Sequence, residues 1–211
     1  MKKLLLPFAF LLFLQQLNAQ KVKVGFTAGG NLSNIYAKIE DEKENLENKV
    51  GFQVGMFTDI PIVKGFSIQP TLNFIQKGGK TSEGGEKISL NLNYLELPLN
   101  FVYSFKTSPV GNFFIGAGPY IAGALYSNVK AKIGSEEAKE SISFGKTTDN
   151  DMRGFDAGAN FITGFITKKG LIISAFYSRG FYDLNPVRID GEYMHNQSFG
   201  VRLGWLCKAQ N

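Results

Sequence analysis

From about residue 22 to residue 207 the chain repeatedly alternates apolar with polar or small residues. A period of two is the mark of strands with two unlike faces. The last segment, Ser198–Cys207, is the clearest. One parity reads Phe199, Val201, Leu203, Trp205 and Cys207, and the other Ser198, Gly200, Arg202, Gly204 and Leu206. Upstream, Phe52, Val54, Met56 and Ile60 oppose Gly51, Gln53, Gly55 and Asp59. Phe66, Ile68, Leu72 and Phe74 oppose Ser67, Gln69, Thr71, Asn73 and Lys77. Leu95, Leu97, Leu99, Phe101 and Tyr103 oppose Tyr94, Glu96, Asn100 and Ser104. Phe155, Ala157, Ala159, Phe161 and Phe165 oppose Asp156, Gly158, Asn160 and Gly164. Weaker alternation covers about Val22–Gly30, Phe113–Tyr126 and Leu171–Tyr182, which makes eight strands. The apolar parity slips between Leu92 and Leu95 and predicts a bulge there.

The connections separate a membrane barrel from a soluble sandwich. Pro61–Gly65, Lys106–Asn112 and Thr167–Gly170 are short, whereas about Asn34–Lys49, Gly78–Lys87, Ser127–Asp151 and Asp183–Asn196 are long and polar. Strict short–long alternation around an even number of strands is the outer-membrane pattern of periplasmic turns and extracellular loops. Aromatics on the apolar parity also fall into two bands. Phe66, Phe105, Phe113, Phe165 and Trp205 lie at the short-turn side; Phe52, Phe74, Phe155, Phe181 and Phe199 lie at the long-loop side. At about 3.3 Å per residue and a tilt near 40°, they bracket a band roughly 20–25 Å tall, the apolar height of a barrel wall. The expected fold is therefore an all-β, eight-stranded antiparallel up-and-down transmembrane barrel. Backbone polar groups in lipid need partners within the protein, and a closed barrel is the β solution.

The N-terminus fits export. Lys2 and Lys3 precede an apolar run from Leu4 to Leu14, and Ala19 offers a small residue for cleavage, which predicts a signal peptide over residues 1–19. Residues 20–211 then form one barrel domain. Removal of two lysines takes the formal charge from +5 to +3, too small and scattered an excess to indicate nucleic acid. One cysteine, Cys207, provides no disulfide framework. The 24 glycines among 19 Phe and 8 Tyr disfavour helices and suit bending strands around a tight interior. Val110–Val129 lacks charge but holds Gly111, Gly116, Gly118, Pro119 and Gly123. It reads as a strand locally irregular at Pro119, not as a helix.

Eight strands enclose a space just filled by side chains, so an open diffusion pore is not expected. Lys77, Glu96, Asp156 and Arg202 fall on the inward parity, and charges in such a space must pair or be hydrated. The expectation is a polar lumen network in which Arg202 meets Glu96 or Asp156.

The stretches GFQVGMFTDIPIVKGFSIQPTLNFIQKGGK (51–80), NYLELPLNFVYSF (93–105) and FFIGAGPYIAGAL (113–125) resemble the outer-membrane β-barrel "porin family" proteins of Bacteroidota, the PorT-like group. The similarity spans essentially the whole mature chain. It implies an eight-stranded outer-membrane barrel, contact with outer-membrane lipid, and insertion by the barrel-assembly machinery. It implies no reaction. The usual closing aromatic is replaced here by Trp205-Leu206-Cys207 followed by Lys-Ala-Gln-Asn, which leaves Trp205 as the candidate insertion signal.

Candidate chemistry is sparse. His195 lies near Ser198, Asp190 and Glu192, the residue types of a hydrolytic triad, but a spacing of three along a strand puts His195 and Ser198 on opposite faces. No catalytic residue, metal site or cofactor is expected. The acidic run Glu40–Glu44 lacks the glycine and spacing of a calcium loop and reads as solvated loop. Gly29-Gly30 and Gly84-Gly85 read as turn or bulge features. The expected function is a non-enzymatic barrel with a structural, envelope-assembly or surface-interaction role, its partners read by loops such as Ser127–Asp151. A small porin or transporter is the second reading. A soluble periplasmic lipid-binding barrel is the third, and it requires the greasy parity to face inward.

Overall fold

The computed structural model describes residues 22–207 except 40–41, 84–85, 108, 135 and 188. The expected signal peptide, residues 1–19, and Gly84-Gly85 lie outside the described residues. Among the described residues eleven strands follow one another: β1 (Lys23–Ile39), β2 (Glu42–Asn45), β3 (Lys49–Val63), β4 (Phe66–Glu83), β5 (Glu86–Lys106), β6 (Gly111–Ala124), β7 (Asn128–Ile133), β8 (Glu136–Ser141), β9 (Phe155–Thr167), β10 (Leu171–Gly180) and β11 (Tyr193–Leu206). Eight of them close a ring. β1 pairs with β3, β3 with β4, β4 with β5, β5 with β6, β6 with β9, β9 with β10, and β10 with β11. β11 returns to β1, and every pairing is antiparallel. Closure leaves the ring without sheet edges.

The orientation is polar inside and greasy outside. Phe101, Leu203 and Val201 are 55%, 61% and 66% exposed, whereas Glu96, Asn73 and Asp156 are 3%, 2% and 0% exposed. Such an apolar exterior suits hydrocarbon. It is the reverse of the soluble lipid-carrier arrangement, which this fold therefore contradicts.

The long-loop end differs from the expectation of irregular loops. β4 and β5 stay paired out to Glu83↔Glu86, so Gly78–Lys87 is largely a continued hairpin. The 21 residues of β5 rise roughly 50 Å at about 3.3 Å each and a tilt near 40°, about twice the apolar band. Ser127–Asp151 contains β7 and β8, and β7 extends the sheet beside β5. In the acidic run, Glu42–Glu44 belong to β2, paired with β1. Backbone hydrogen bonding between neighbouring extended segments replaced the solvated loops that composition suggested.

Two local expectations fail, and a third, the irregularity at Pro119, holds. No bulge forms between Leu92 and Leu95: β4 and β5 keep one register from Phe66↔Tyr103 to Glu83↔Glu86. Leu92 simply faces inward, fully buried, because the long-loop end of the interior is apolar. Register shifts lie between Pro61 and Val63 and in the partner on the other side of β5, where Ala124 stands opposite Tyr94 but Asn128 opposite Asn91, one extra residue. Gly29 and Gly30 form neither turn nor bulge, since β1 runs unbroken against β11 and β3. Gly29 is required by closeness: a Cβ there would meet the carbonyl of Val201 and come within 2.8 Å of the Arg202 Cα. At Pro119 the ladder to β5 is interrupted between Pro98↔Tyr120 and Phe101↔Ala117, while pairing with β9 continues straight. Two prolines without N–H donors account for the gap.

Candidate functional site

The lumen has three levels, each set by inward positions two residues apart along the strands. At the long-loop end, Ile35, Ile75 and Leu92 pack with Met152 and Leu184, which are brought in by the two longest connections. Backbone bonds hold that plug. Arg153 N–H donates to the Leu184 carbonyl at 2.8 Å, and Leu184 N–H donates to that of Met194 at 2.9 Å.

Beneath it lies a charged layer. Lys77 Nζ is 2.6 Å from Glu96 Oε2 and 3.6 Å from Asp156 Oδ2, with all three side chains sealed from solvent. At that distance the Lys77–Glu96 contact is a charge-assisted pair. Tyr120 Oη donates to Asp156 at 3.1 Å, and Asn196 Nδ2 donates to Asp156 at 2.9 Å and to Tyr94 Oη at 3.3 Å. The ammonium also sits 4.4 Å from the Tyr120 ring centroid and 5.6 Å from that of Tyr94, close enough for cation–π attraction. Six side chains from five strands thus make up the layer: the ion pair, its second carboxylate, and Tyr94, Tyr120 and Asn196 around them.

Of the four charges expected inside, the structure brings three together. Arg202 is inward and buried but forms no ion pair with Glu96 or Asp156. Its guanidinium lies over Phe176, 4.9 Å from the ring centroid. Lys77 takes the place expected of Arg202 because its long stem rises from β4, the strand next to Glu96. Tyr94 is on the inward parity in sequence, but nothing local reveals its partner Asn196, 102 residues away. Tyr120 and Asn196 carried no signal, and Asn196 read as the end of a loop.

At the short-turn end the lumen opens into a cavity of about 740 Å³. The expectation of an interior filled throughout is thus met only at the two upper levels. Asn160 Nδ2 donates to Asn100 Oδ1 at 3.0 Å across the space.

On the outer surface, Phe66, Tyr103, Phe105, Phe113 and Phe165 form a run of neighbouring rings at the short-turn end, with centroids 4.5, 6.1, 6.3 and 5.0 Å apart. Trp205 stands opposite Phe26 across the β1–β11 ladder. At the other end Phe52 meets Phe74 at 5.6 Å and Phe155 meets Tyr182 at 5.0 Å. Phe181 and Phe199 both project outward.

The hydrolytic arrangement does not assemble. His195 and Ser198 lie in one regular strand, paired with Tyr36 and Ser33 in an unbroken register. His195 Nδ1 contacts the Tyr182 carbonyl at 3.1 Å and its ring stacks on Tyr193, while Ser198 points inward and is buried. Among the described residues no group of His, Cys, Asp and Glu is arranged to hold a metal ion.

No curated protein matches the chain. Among solved structures it is similar to Ail, the attachment invasion locus protein of Yersinia pestis, at 11% identity and TM-score 0.44, covering 89% of this chain and 99% of that one. It is similar to the outer membrane protein OprG of Pseudomonas aeruginosa at 11% identity and TM-score 0.45, covering 90% and 98%. It is similar also to Neisserial surface protein A at 9% identity and TM-score 0.42, covering 85% and 96%. Residues 15–185 match the family described as "Outer membrane protein beta-barrel domain". With a closed ring, a greasy exterior and a family match over most of its length, the chain belongs to the outer-membrane β-barrel domain family and resides in the outer membrane.

Proposed function

We propose that this barrel is non-enzymatic and non-conducting, and that it acts through its long-loop face in surface contact or envelope assembly. One observation carries the reading: the Lys77–Glu96–Asp156 layer and the apolar plug above it occupy the axis. A continuous aqueous path has no place beside a buried ion pair, whereas β4, β5, β7 and β8 extend the sheet at the far end. In barrels of this kind the short turns face the periplasm and the longer connections face outward, and rigidly supported outer segments are where recognition is placed. The non-catalytic part of the reading draws on the opposed directions of His195 and Ser198.

The finer placement within the PorT-like group of Bacteroidota draws on the residue stretches quoted above. So does insertion by the barrel-assembly machinery, with Trp205 in the last strand as its signal. The two aromatic bands would sit at the lipid–water boundaries. Export would remove residues 1–19, and the mass of the mature protein should then begin at Gln20.

Reconstitution in planar bilayers tests the central claim. The expected record is flat; stepwise conductance from the folded wild-type barrel would replace this reading with the small-porin or transporter one.

A further inference from the structure

The cavity at the short-turn end has an unusual lining. Its rim carries Lys23, Lys64, Lys106 and Lys168, and Arg202 lies within. Against these five cations stands one lining carboxylate, Asp59, which already accepts a hydrogen bond from Gln69 Nε2 at 3.0 Å. Glu96, the carboxylate in the layer above, is held by Lys77.

Two polar atoms at the inner end have no hydrogen-bond partner. Arg202 is 8% exposed, and its Nε makes no hydrogen bond; neither does the buried Thr27 Oγ1. Both residues line the cavity. A buried guanidinium has five N–H donors and no acceptor, and planar carboxylates match its fork. Between rim and floor Phe57, Phe114, Ile162, Ile172 and Leu206 form an apolar part of the wall, beside polar positions such as Thr71, Asn100 and Ser174. The volume falls in the usual range for small-molecule sites, which combine apolar walls with a few placed polar groups.

We propose that this cavity binds a small organic carboxylate with an apolar body, entering from the periplasmic water. Its carboxylate pairs with Arg202 and accepts from Thr27, its hydrocarbon lies against the phenylalanine and isoleucine wall, and the rim lysines draw it in. Lysines around a low-dielectric mouth raise the local concentration of anions, and salt weakens that attraction. The site is independent of what the outward face recognises.

The test uses the folded barrel in phosphatidylcholine nanodiscs, with ¹³C-carboxyl octanoate as probe and empty nanodiscs as blank. Saturable binding is expected, at least tenfold weaker in Arg202→Gln. Should that variant fail to fold, Lys106→Gln/Lys168→Gln serves, since both side chains are exposed; it should bind several-fold more weakly and lose much of the salt dependence. Octanamide binding as tightly as octanoate would overturn the claim, as the charge would then be irrelevant. Equal competition by inorganic phosphate would overturn the apolar part. Binding unchanged in both variants would place the probe elsewhere and end the proposal.

Discussion

Lys77 Nζ and Glu96 Oε2 stand 2.6 Å apart in a space from which water is excluded, with Asp156 Oδ2 3.6 Å from the same nitrogen. Two carboxylates share one ammonium, and hydroxyl and amide donors on Tyr120 and Asn196 supply the remaining contacts to Asp156. Breaking a buried pair by removing one partner is costly, because the other charge is stranded. Replacing all the charges together is far milder. Lys77→Met should therefore destabilise the barrel by about 3–5 kcal/mol, and Lys77→Met/Glu96→Gln/Asp156→Asn should recover most of that loss. The urea midpoint of heat-modifiable gel mobility measures both. Equal midpoints for Lys77→Met and wild type would mean that the layer is hydrated.

Neighbouring glycines on β1 should respond oppositely to the same change. At Gly29 a side chain would press into the backbone at Val201 and Arg202, whereas at Gly30 the nearest atom to a new Cβ is the Gly51 carbonyl oxygen, 3.9 Å away. Gly29→Val should weaken or prevent closure, at a cost of at least the 1–3 kcal/mol typical of overpacking. Gly30→Val faces outward and should fold as wild type. Similar folding yields for both would show that β1 and β11 can separate without penalty.

The β7–β8 hairpin is attached to β5 but contributes nothing to the ring, which closes through β5 and β6. Replacing residues 129–140 by a short Gly-Ser turn should leave a folded, heat-modifiable barrel. Any function exercised at the outer face should be lost with the hairpin. Failure of the shortened chain to insert would instead make β7 part of the folding unit.

Asp151, in the connection after β8, accepts from both the N–H and the Oγ of Ser143, at 2.7 and 2.9 Å. Those bonds, the backbone one first, hold its carboxyl below the usual value. A depressed folded value means that the contact's stabilisation is present above the ordinary Asp range near 3.9 and is lost as pH falls through the lower, folded value. The Ser143 amide proton should thus keep a hydrogen-bonded chemical shift down to pH 4 and move only below it. Asp151→Ala should show the moved shift at pH 7. Because the group is exposed, the effect is local and global unfolding should not follow it.

What was legible from the chain, and what was not, divides along a physical line. The eight barrel strands, their short turns and the outward direction of Phe101, Val201 and Leu203 follow from a period-two pattern, because successive side chains on a strand point to opposite sides. The inward parity of Lys77, Glu96, Asp156 and Arg202 follows from the same rule. Parity gives a face but neither a height nor a neighbour. Shear and tilt bring Lys77 to Glu96 and Asp156, leave Arg202 against Phe176 and beside a cavity, and join Asn196 to Tyr94 across 102 residues. Likewise, polar composition around Gly78–Lys87 suggested loop, but pairing with a neighbouring extended segment made it strand. Alternation is local and can be read one residue at a time; pairing and lumen chemistry depend on how the whole ring closes, which only the tertiary structure decides.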